Sequence, residues 1–376
     1  MKSAIRQPWL LHALTFILAA TLPALAAAEE YEVITRNQGT SLILEKGAAN
    51  YPGNRVRSGQ EGWVRASFVV DPDGRAIDPI IMDSSGGSAF ENSLIESLAD
   101  WRFEPSTAEL PNNVIDFRHE IRRGRDAATS NFIRRTKRIM THLLNDEIED
   151  ARKQIDEAYK LGGWNLYEST MLWLMMGRVE GAEGNQAGKL EMYQRALKMG
   201  NSKALPREDR IELLEKIFLL QIYFDQYSAA IRSAQTIKNT RNNEQTLERI
   251  APRLEEIEGI VADAELIRAS ATITNHCNCN EATPLWHYVP ARRIFSFEDT
   301  SGNVERFEAR CEGQRISGAV EAGKTWTLDP EWGFCRVFVF GDDGANFRFV
   351  EHRAKGDPRR PDYLLQRKEP ISLPPQ

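Results

Sequence analysis

Residues 63–74 read Trp63-Val64-Arg65-Ala66-Ser67-Phe68-Val69-Val70-Asp71-Pro72-Asp73-Gly74, and this stretch decides the fold of the first part of the chain. Val64, Ala66, Phe68 and Val70 recur at every second position, with Arg65 and Ser67 between them, which predicts a half-buried strand. Asp71-Pro72-Asp73-Gly74 predicts a turn, with Gly74 free to adopt positive φ. The same run is like the start of a calcium loop, but Met82 stands where the closing Glu belongs, so the turn reading is preferred. Residues 76–82 then predict a return strand, with Pro79 marking a bulge or an edge. Ser88-Ala89-Phe90-Glu91 predicts a capping box that opens a helix. Phe90, Leu94, Ile95 and Leu98 supply its apolar stripe. Trp101-Arg102-Phe103 follows, and residues 114–121 predict a third strand.

The chain has 376 residues, a formal net charge of -6, 41% hydrophobic and 27% charged residues. That is enough apolar content for packed cores and too much charge for a multi-span membrane protein. Mild acidity gives no long-range pull on nucleic acid, so no nucleic-acid partner is expected. The length predicts two or three domains.

Lys2 and Arg6 precede an apolar run that ends in Ala24-Leu25-Ala26-Ala27-Ala28. A basic start, apolar middle and Ala-x-Ala exit predict a signal peptide over residues 1–28, and hence a periplasmic protein. The alternative is an uncleaved membrane anchor, since the run approaches spanning length.

Tyr51-Pro52, Glu61-Gly62-Trp63-Val64, Asp71-Pro72-Asp73-Gly74, Ser84-Ser85-Gly86, Phe90, Trp101-Arg102-Phe103 with Pro105, and Ile115-Asp116-Phe117 occur in that order. The ordered set resembles the C-terminal domain of TonB-family proteins, and places such a domain within residues 30–125. The resemblance implies a small α/β domain with an antiparallel sheet and a helix on one face. It also implies that the domain grips a short extended peptide of an outer-membrane transporter by strand addition, which works because an edge strand offers unpaired N–H and C=O groups. By position, residues 114–121 would present that edge. The candidate peptide-binding residues are Tyr51, Pro52, Val114, Asp116 and Arg118. Trp101 and Phe103 read as core, and Tyr51 reads equally as core or as site. The β-formers Val33, Ile34, Leu42 and Ile43 could cover the edge from within the chain.

The departures bear on function. TonB proteins place this domain last, after a retained anchor and a Pro-rich spacer. Here it follows the apolar segment almost directly, and two further units come after it. The family's anchor carries Ser and His four residues apart, whereas Pro8 stands four before His12. Binding is therefore expected rather than energy transduction, with a membrane-anchored transducer as the alternative.

Residues 128–268 change to helical period. Trp173, Gly177, Tyr193 and Ala196, then Tyr227, Ala230 and Ala234, fall at offsets like those of the 34-residue TPR. This predicts an all-α unit of TPR-like hairpins, whose concave face would bind a peptide or protein. The basic runs Arg122-Arg123-Gly124-Arg125 and Arg134-Arg135-Thr136-Lys137-Arg138 read as solvated faces or domain contacts.

Residues 269–354 return to β patterning and predict an all-β module of five to seven strands. Hairpins are expected at residues 299–303 and 341–344, where Gly and Asp cluster between strand-like runs. Residues 355–376 read as a tail. All four cysteines lie in this unit: Cys277, Cys279, Cys311 and Cys335. An even count in an exported chain predicts disulfides. A direct Cys277–Cys279 bond is strained, so each is expected to bond Cys311 or Cys335. The alternative is a zinc site of the four thiolates with His276, or an enzymatic role for this module.

No phosphate loop, dinucleotide fingerprint, nucleophile elbow or His-Glu-x-x-His helix occurs. The expectation is a non-enzymatic binding protein without cofactor or metal. Its partner would be an envelope protein or extended peptide segment, such as that of an outer-membrane transporter.

Overall fold

The computed structural model describes residues 31–39, 41–48, 50–85, 87–121, 128–200, 204–275 and 283–353. The segment 1–28, Gly86, the basic run 122–125, His276, Cys277, Cys279 and the tail 355–376 lie outside the described residues.

The first unit runs β1 (Tyr31–Asn37), β2 (Ile43–Glu45), α1 (Gly53–Arg57), β3 (Gly62–Val70), β4 (Ala76–Ser84), α2 (Ser88–Asp100), β5 (Arg102–Phe103) and β6 (Leu110–Ile121). Its main sheet has the order β1-β6-β3-β4, and every neighbouring pair is antiparallel. The alternation in β3 works as expected: Val64, Ala66, Phe68 and Val70 face α2 and pack on Phe90, Leu94, Leu98, Trp101 and Phe103. Burying each Val, Leu or Phe of this set stabilises by about 1.5–3 kcal/mol. Gly74 closes the β3–β4 turn at φ 81°, where an added Cβ would strike the Phe103 carbonyl. Pro79 lies at a bulge in the edge strand β4, between Ile77, which faces Val69, and Ile80, which faces Ser67.

Two local expectations change. The N-cap of α2 is Gly87, with no side-chain cap, so Ser88 and Glu91 form no capping box. Glu91 instead accepts a hydrogen bond from Ser84 Oγ at 2.6 Å, which ties the helix to β4. Ile95 falls outside the buried stripe and is 38% exposed.

The second unit is helical: α3 (Ser130–Leu144), α4 (Ile148–Leu161), α5 (Leu166–Ala182), α6 (Gln186–Met199), α7 (Arg207–Tyr223), α8 (Tyr227–Lys238) and α9 (Glu244–Asp263). Consecutive helices pack as hairpins, α3 on α4, α5 on α6 and α7 on α8, with α9 laid on α8. α5 starts from a full capping box made by Asn165 and Glu168. Gly177 in α5 lies directly under the Tyr193 ring of α6, where any Cβ would collide.

The third unit runs β7 (Leu266–Thr272), β8 (Leu285–Tyr288), β9 (Ile294–Ser301), β10 (Val304–Cys311), β11 (Arg315–Ala319), β12 (Thr325–Thr327), β13 (Cys335–Gly341) and β14 (Asn346–His352). The eight strands make two four-stranded sheets, β11-β10-β13-β8 and β12-β9-β14-β7. The core between them is aromatic: Trp286, Phe295, Phe297, Phe307, Phe347 and Phe349. The expected hairpins do not form, because β9 and β10, and likewise β13 and β14, lie in different sheets. Alternation gives each strand one inward face, but it is the same whether two strands pair side by side or face each other across a sandwich.

The three units pack against one another. The face of the first sheet that turns away from α2 presents Met82 and Val114 to Leu285, Phe338 and Phe340 of the sandwich. Trp63 packs with Leu166 and Met199 of the helical unit. Glu61 Oε2 accepts from the Leu166 amide at 2.9 Å. Arg310 is buried and donates to Ser67 Oγ at 3.2 Å and to the Asp78 carbonyl at 2.9 Å. None of the described helices is long and apolar enough to cross a membrane.

Candidate functional site

β6 carries three of the five candidate residues. Successive side chains of a strand point to opposite faces, so Ile115, Phe117 and Ile121 enter the core under α2 while Val114, Asp116 and Arg118 point the other way. Val114 is buried against Phe338 and Phe340. Asp116 receives both prongs of Arg65, at 2.6 and 2.8 Å. Arg118 donates to the Lys198 carbonyl of α6 at 2.6 Å. Tyr51 is buried, donates its hydroxyl to the Gln60 carbonyl at 2.6 Å, and sits edge-on to Phe90 and His119. Pro52 is the N-cap of α1. The structure thus brings Tyr51 to the helix-facing side of β6 and the other three β6 residues to the opposite side. Their side chains hold the three units together rather than line one open groove.

His119 lies between these layers. It is fully buried, with Nε2 3.2 Å from Ser93 Oγ and its ring against Phe90. Burial pushes its pKa down to about 4, against a hydrogen bond to the Asn50 backbone that raises it.

The expected open edge at residues 114–121 is not an edge. β6 is an interior strand, because β1 pairs with its outer side over seven residues, from Tyr31 opposite Ile121 to Asn37 opposite Ile115. The pairing extends one residue further: the Gln38 amide donates to the Val114 carbonyl at 2.7 Å. Gln38 Nε2 then donates to Asp116 Oδ2 at 2.8 Å. The chain's own N-terminal segment therefore takes up the backbone groups that an added peptide strand would use. No other described strand pairs with the far side of β1, which becomes the outer strand, and Ile34 there is 42% exposed. Arg65 and Gln38, which fix Asp116 and β1, were missed by sequence reasoning. The β-formers at Val33 and Ile34 were the available signal for the covering strand.

The cysteine expectation is also corrected in part. Cys311 bonds Cys335, not either residue of the Cys277–Cys279 pair. The two stand directly opposite in the β10–β13 ladder, a register that spacing in sequence does not reveal. This bond removes two thiols from the zinc set. The one clustered group of metal-type side chains among the described residues is His142, Glu147 and Asp150, exposed or half-buried at the α3–α4 turn. There His142 Nδ1 and Glu147 Oε2 are 2.6 Å apart and satisfy each other.

Comparison with known proteins finds matches in one region. Residues 48–122 match the family model of the Gram-negative bacterial TonB protein C-terminal. Among solved structures, the chain is similar to the solution NMR structure of the Pseudomonas aeruginosa TonB CTD. Identity is 27%, the TM-score is 0.21, and the match covers 23% of this chain and 90% of that one. No curated protein matches the chain. The α/β unit at residues 48–122 is a TonB C-terminal domain.

Proposed function

We propose that this chain is a non-enzymatic adaptor of the periplasm whose TonB C-terminal domain captures an extended peptide of an envelope protein by strand exchange. The incoming strand takes the place of β1 on β6. An outer-membrane transporter's periplasmic segment is the partner class that the domain's family implies. The observation that carries the reading is the β1–β6 ladder itself. The outer side of β6 accepts an extended segment in antiparallel register over seven residues, and β1 is joined to the rest of the domain by a short link through β2. A strand held at one edge of a sheet by backbone bonds is the element most readily exchanged for another of similar pattern.

A cross-strand lock tests this. Ile34 and Arg118 are register partners, so the double variant Ile34→Cys with Arg118→Cys can be oxidised to fix β1 on β6. The probe is a set of synthetic peptides from the periplasmic ends of outer-membrane transporters. The oxidised variant should lose peptide binding and regain it on reduction, and a chain starting after Gln38 should bind more tightly than the full chain. Equal binding by locked and reduced protein would sink strand exchange at β6. N-terminal sequencing of the exported protein tests the compartment: a start at Ala27 or Glu29 supports the periplasmic form, and a retained Met1 favours the anchored alternative.

A further inference from the structure

β1 ends the main sheet of the first unit, and its outer side is a surface distinct from β6. The bond from the Gln38 amide to the Val114 carbonyl fixes the phase of the β1–β6 ladder. Hydrogen-bonded pairs alternate with non-hydrogen-bonded ones along an antiparallel ladder. Glu32, Ile34 and Arg36 therefore turn their backbone groups to β6, and Tyr31, Val33, Thr35 and Asn37 turn theirs outward. No described residue bonds to those outward N–H and C=O groups. An edge of this kind is a template for another strand.

The sequence of β1 selects which strand that is. Two copies of Tyr31-Glu32-Val33-Ile34-Thr35-Arg36-Asn37 can be set antiparallel about a two-fold axis at Ile34. Tyr31 then pairs with Asn37 of the second copy, and Val33 with its Thr35, so every outward group on both strands is used. An axis at Val33 carries Asn37 past the end of the second β1, and an axis at Thr35 does the same to Tyr31. The register centred on Ile34 also sets Glu32 of each copy opposite Arg36 of the other, and Ile34 opposite Ile34. These are non-hydrogen-bonded positions, where facing residues come closest. Ile34 is 42% exposed, and the pairing takes it out of water.

Arg36 lacks a counter-charge within its own chain. Its register partner is Asp116, but that carboxylate is taken by Arg65 and Gln38. Among the described residues Arg36 forms no ion pair, and Arg118 and Arg210 add like charge beside it. A carboxylate from outside offsets that repulsion. From the unfilled edge, the self-complementary register and the unpaired Arg36, we infer that the outer side of β1 pairs with β1 of a second copy of this chain. The two sheets then join into one, β4-β3-β6-β1-β1-β6-β3-β4, through a two-fold contact of like surfaces. This pairing uses the side of β1 that β6 does not, so it does not depend on strand exchange.

Sedimentation equilibrium and disulfide trapping test the pairing on the exported protein. It should weigh as two chains at micromolar concentration and dissociate on dilution. Facing Cα atoms at a non-hydrogen-bonded position lie about 4.5 Å apart, within disulfide reach. Ile34→Cys should therefore oxidise to a dimer linked at position 34, located by mass spectrometry of the digest. Arg36→Cys, whose two copies are offset along the strands, should not link at position 36. Thr35→Pro removes an outward N–H and none that faces β6, so it should weaken the dimer at least tenfold while circular dichroism stays native. Arg36→Glu sets carboxylates opposite each other and should weaken it about tenfold. Glu32→Arg with Arg36→Glu brings opposite charges back together and should restore wild-type affinity. The inference is overturned by a single-chain mass at every concentration, by absence of the link at position 34, by a dimer that Thr35→Pro does not weaken, or by a reversed-charge double variant no better than Arg36→Glu. Oxidised Ile34→Cys with Arg118→Cys that links position 34 of one chain to position 118 of another also overturns it, because β1 then lies on β6 of the other copy.

Discussion

Gln38 Nε2 lies 2.8 Å from Asp116 Oδ2, and this hydrogen bond ties the end of β1 to the middle of β6. The same carboxylate is held by Arg65 on its other side. Asp116 therefore joins β1, β6 and β3 through one side chain. Removing it leaves Arg65 as a largely buried charge without that partner, a class of change that costs about 3–5 kcal/mol. Gln38→Ala removes the neutral–charged hydrogen bond to Asp116, for which about 1.5–3 kcal/mol is the upper range. Asp116→Ala should lower the Tm of the whole protein. Gln38→Ala should lower the Tm less than Asp116→Ala does and speed hydrogen exchange of the β1 amides selectively. Uniform exchange across the sheet in the Gln38 variant would show that β1 is not a separately opening element.

The Gly177–Tyr193 contact makes the α5–α6 hairpin sensitive at one point. In an exposed helix Gly→Ala stabilises by about 1 kcal/mol. Here the new methyl meets the Tyr193 ring, and overpacking typically costs about 1–3 kcal/mol. Gly177→Ala should therefore destabilise, measured by urea denaturation. In a Tyr193→Leu background the same change should be neutral or stabilising. Equal destabilisation in both backgrounds would place the fault in the helix backbone rather than in the ring.

Period and turn chemistry made β3, β4, α2 and β6 readable from sequence, because each has its own apolar pattern and the Gly74 turn joins the first two. The hairpins α3–α4 and α5–α6 were readable for the same reason. What could not be read is which element lies against which. Val33 and Ile34 show that residues 31–37 can form a strand, but nothing local says that its partner is β6. Val114 and Arg118 looked like site residues because the resemblance put the peptide-accepting edge at residues 114–121. Their face of β6 is covered by Phe338, Phe340 and Lys198, far away in sequence. The pairing of Cys311 with Cys335 and the crossing of β9 and β10 into separate sheets are further long-range matters that a period-two pattern leaves open.

Two buried titratable groups set opposing pH limits. Burial depresses His119 to about 4, so the unfolded chain binds its proton first as pH falls. Its contribution is complete above the ordinary histidine value near 6.5 and is lost as pH falls through that value towards 4, on the order of 3 kcal/mol in total. Glu351 behaves in the opposite sense. It is fully buried in β14, where it accepts from the Arg292 amide at 2.7 Å, and burial raises it to about 7 despite that hydrogen bond. Its contribution is complete below the ordinary carboxylate value and is lost as pH rises towards 7, again on the order of 3 kcal/mol. Glu351→Gln should flatten the loss of stability between pH 5 and 7.5, and its advantage over wild type should grow with pH. A constant difference between the two across that range would refute the Glu351 assignment.

Arg310 is the buried cation that locks the sandwich to the TonB domain. Its Nε donates to Glu308 at 2.7 Å within β10, while its two terminal nitrogens reach Ser67 in β3 and the Asp78 carbonyl in β4. A planar fork with donors on three sides fits this set, and a lysine ammonium at the end of a flexible stem does not. Arg310→Met keeps the length and apolar stem but leaves Glu308 without its closest cation. Loss of a buried charge partner predicts a cost of about 3–5 kcal/mol. The damage should be local to the junction: limited proteolysis should begin to cut between the first unit and the helices before the sandwich itself opens. Arg310→Lys should recover little of the loss. Neutralising the stranded carboxylate with Glu308→Gln should recover part of it, because the penalty comes from the orphaned charge rather than from the missing side chain. Full recovery by lysine would mean that charge alone, not the three-way fork, holds the two units together.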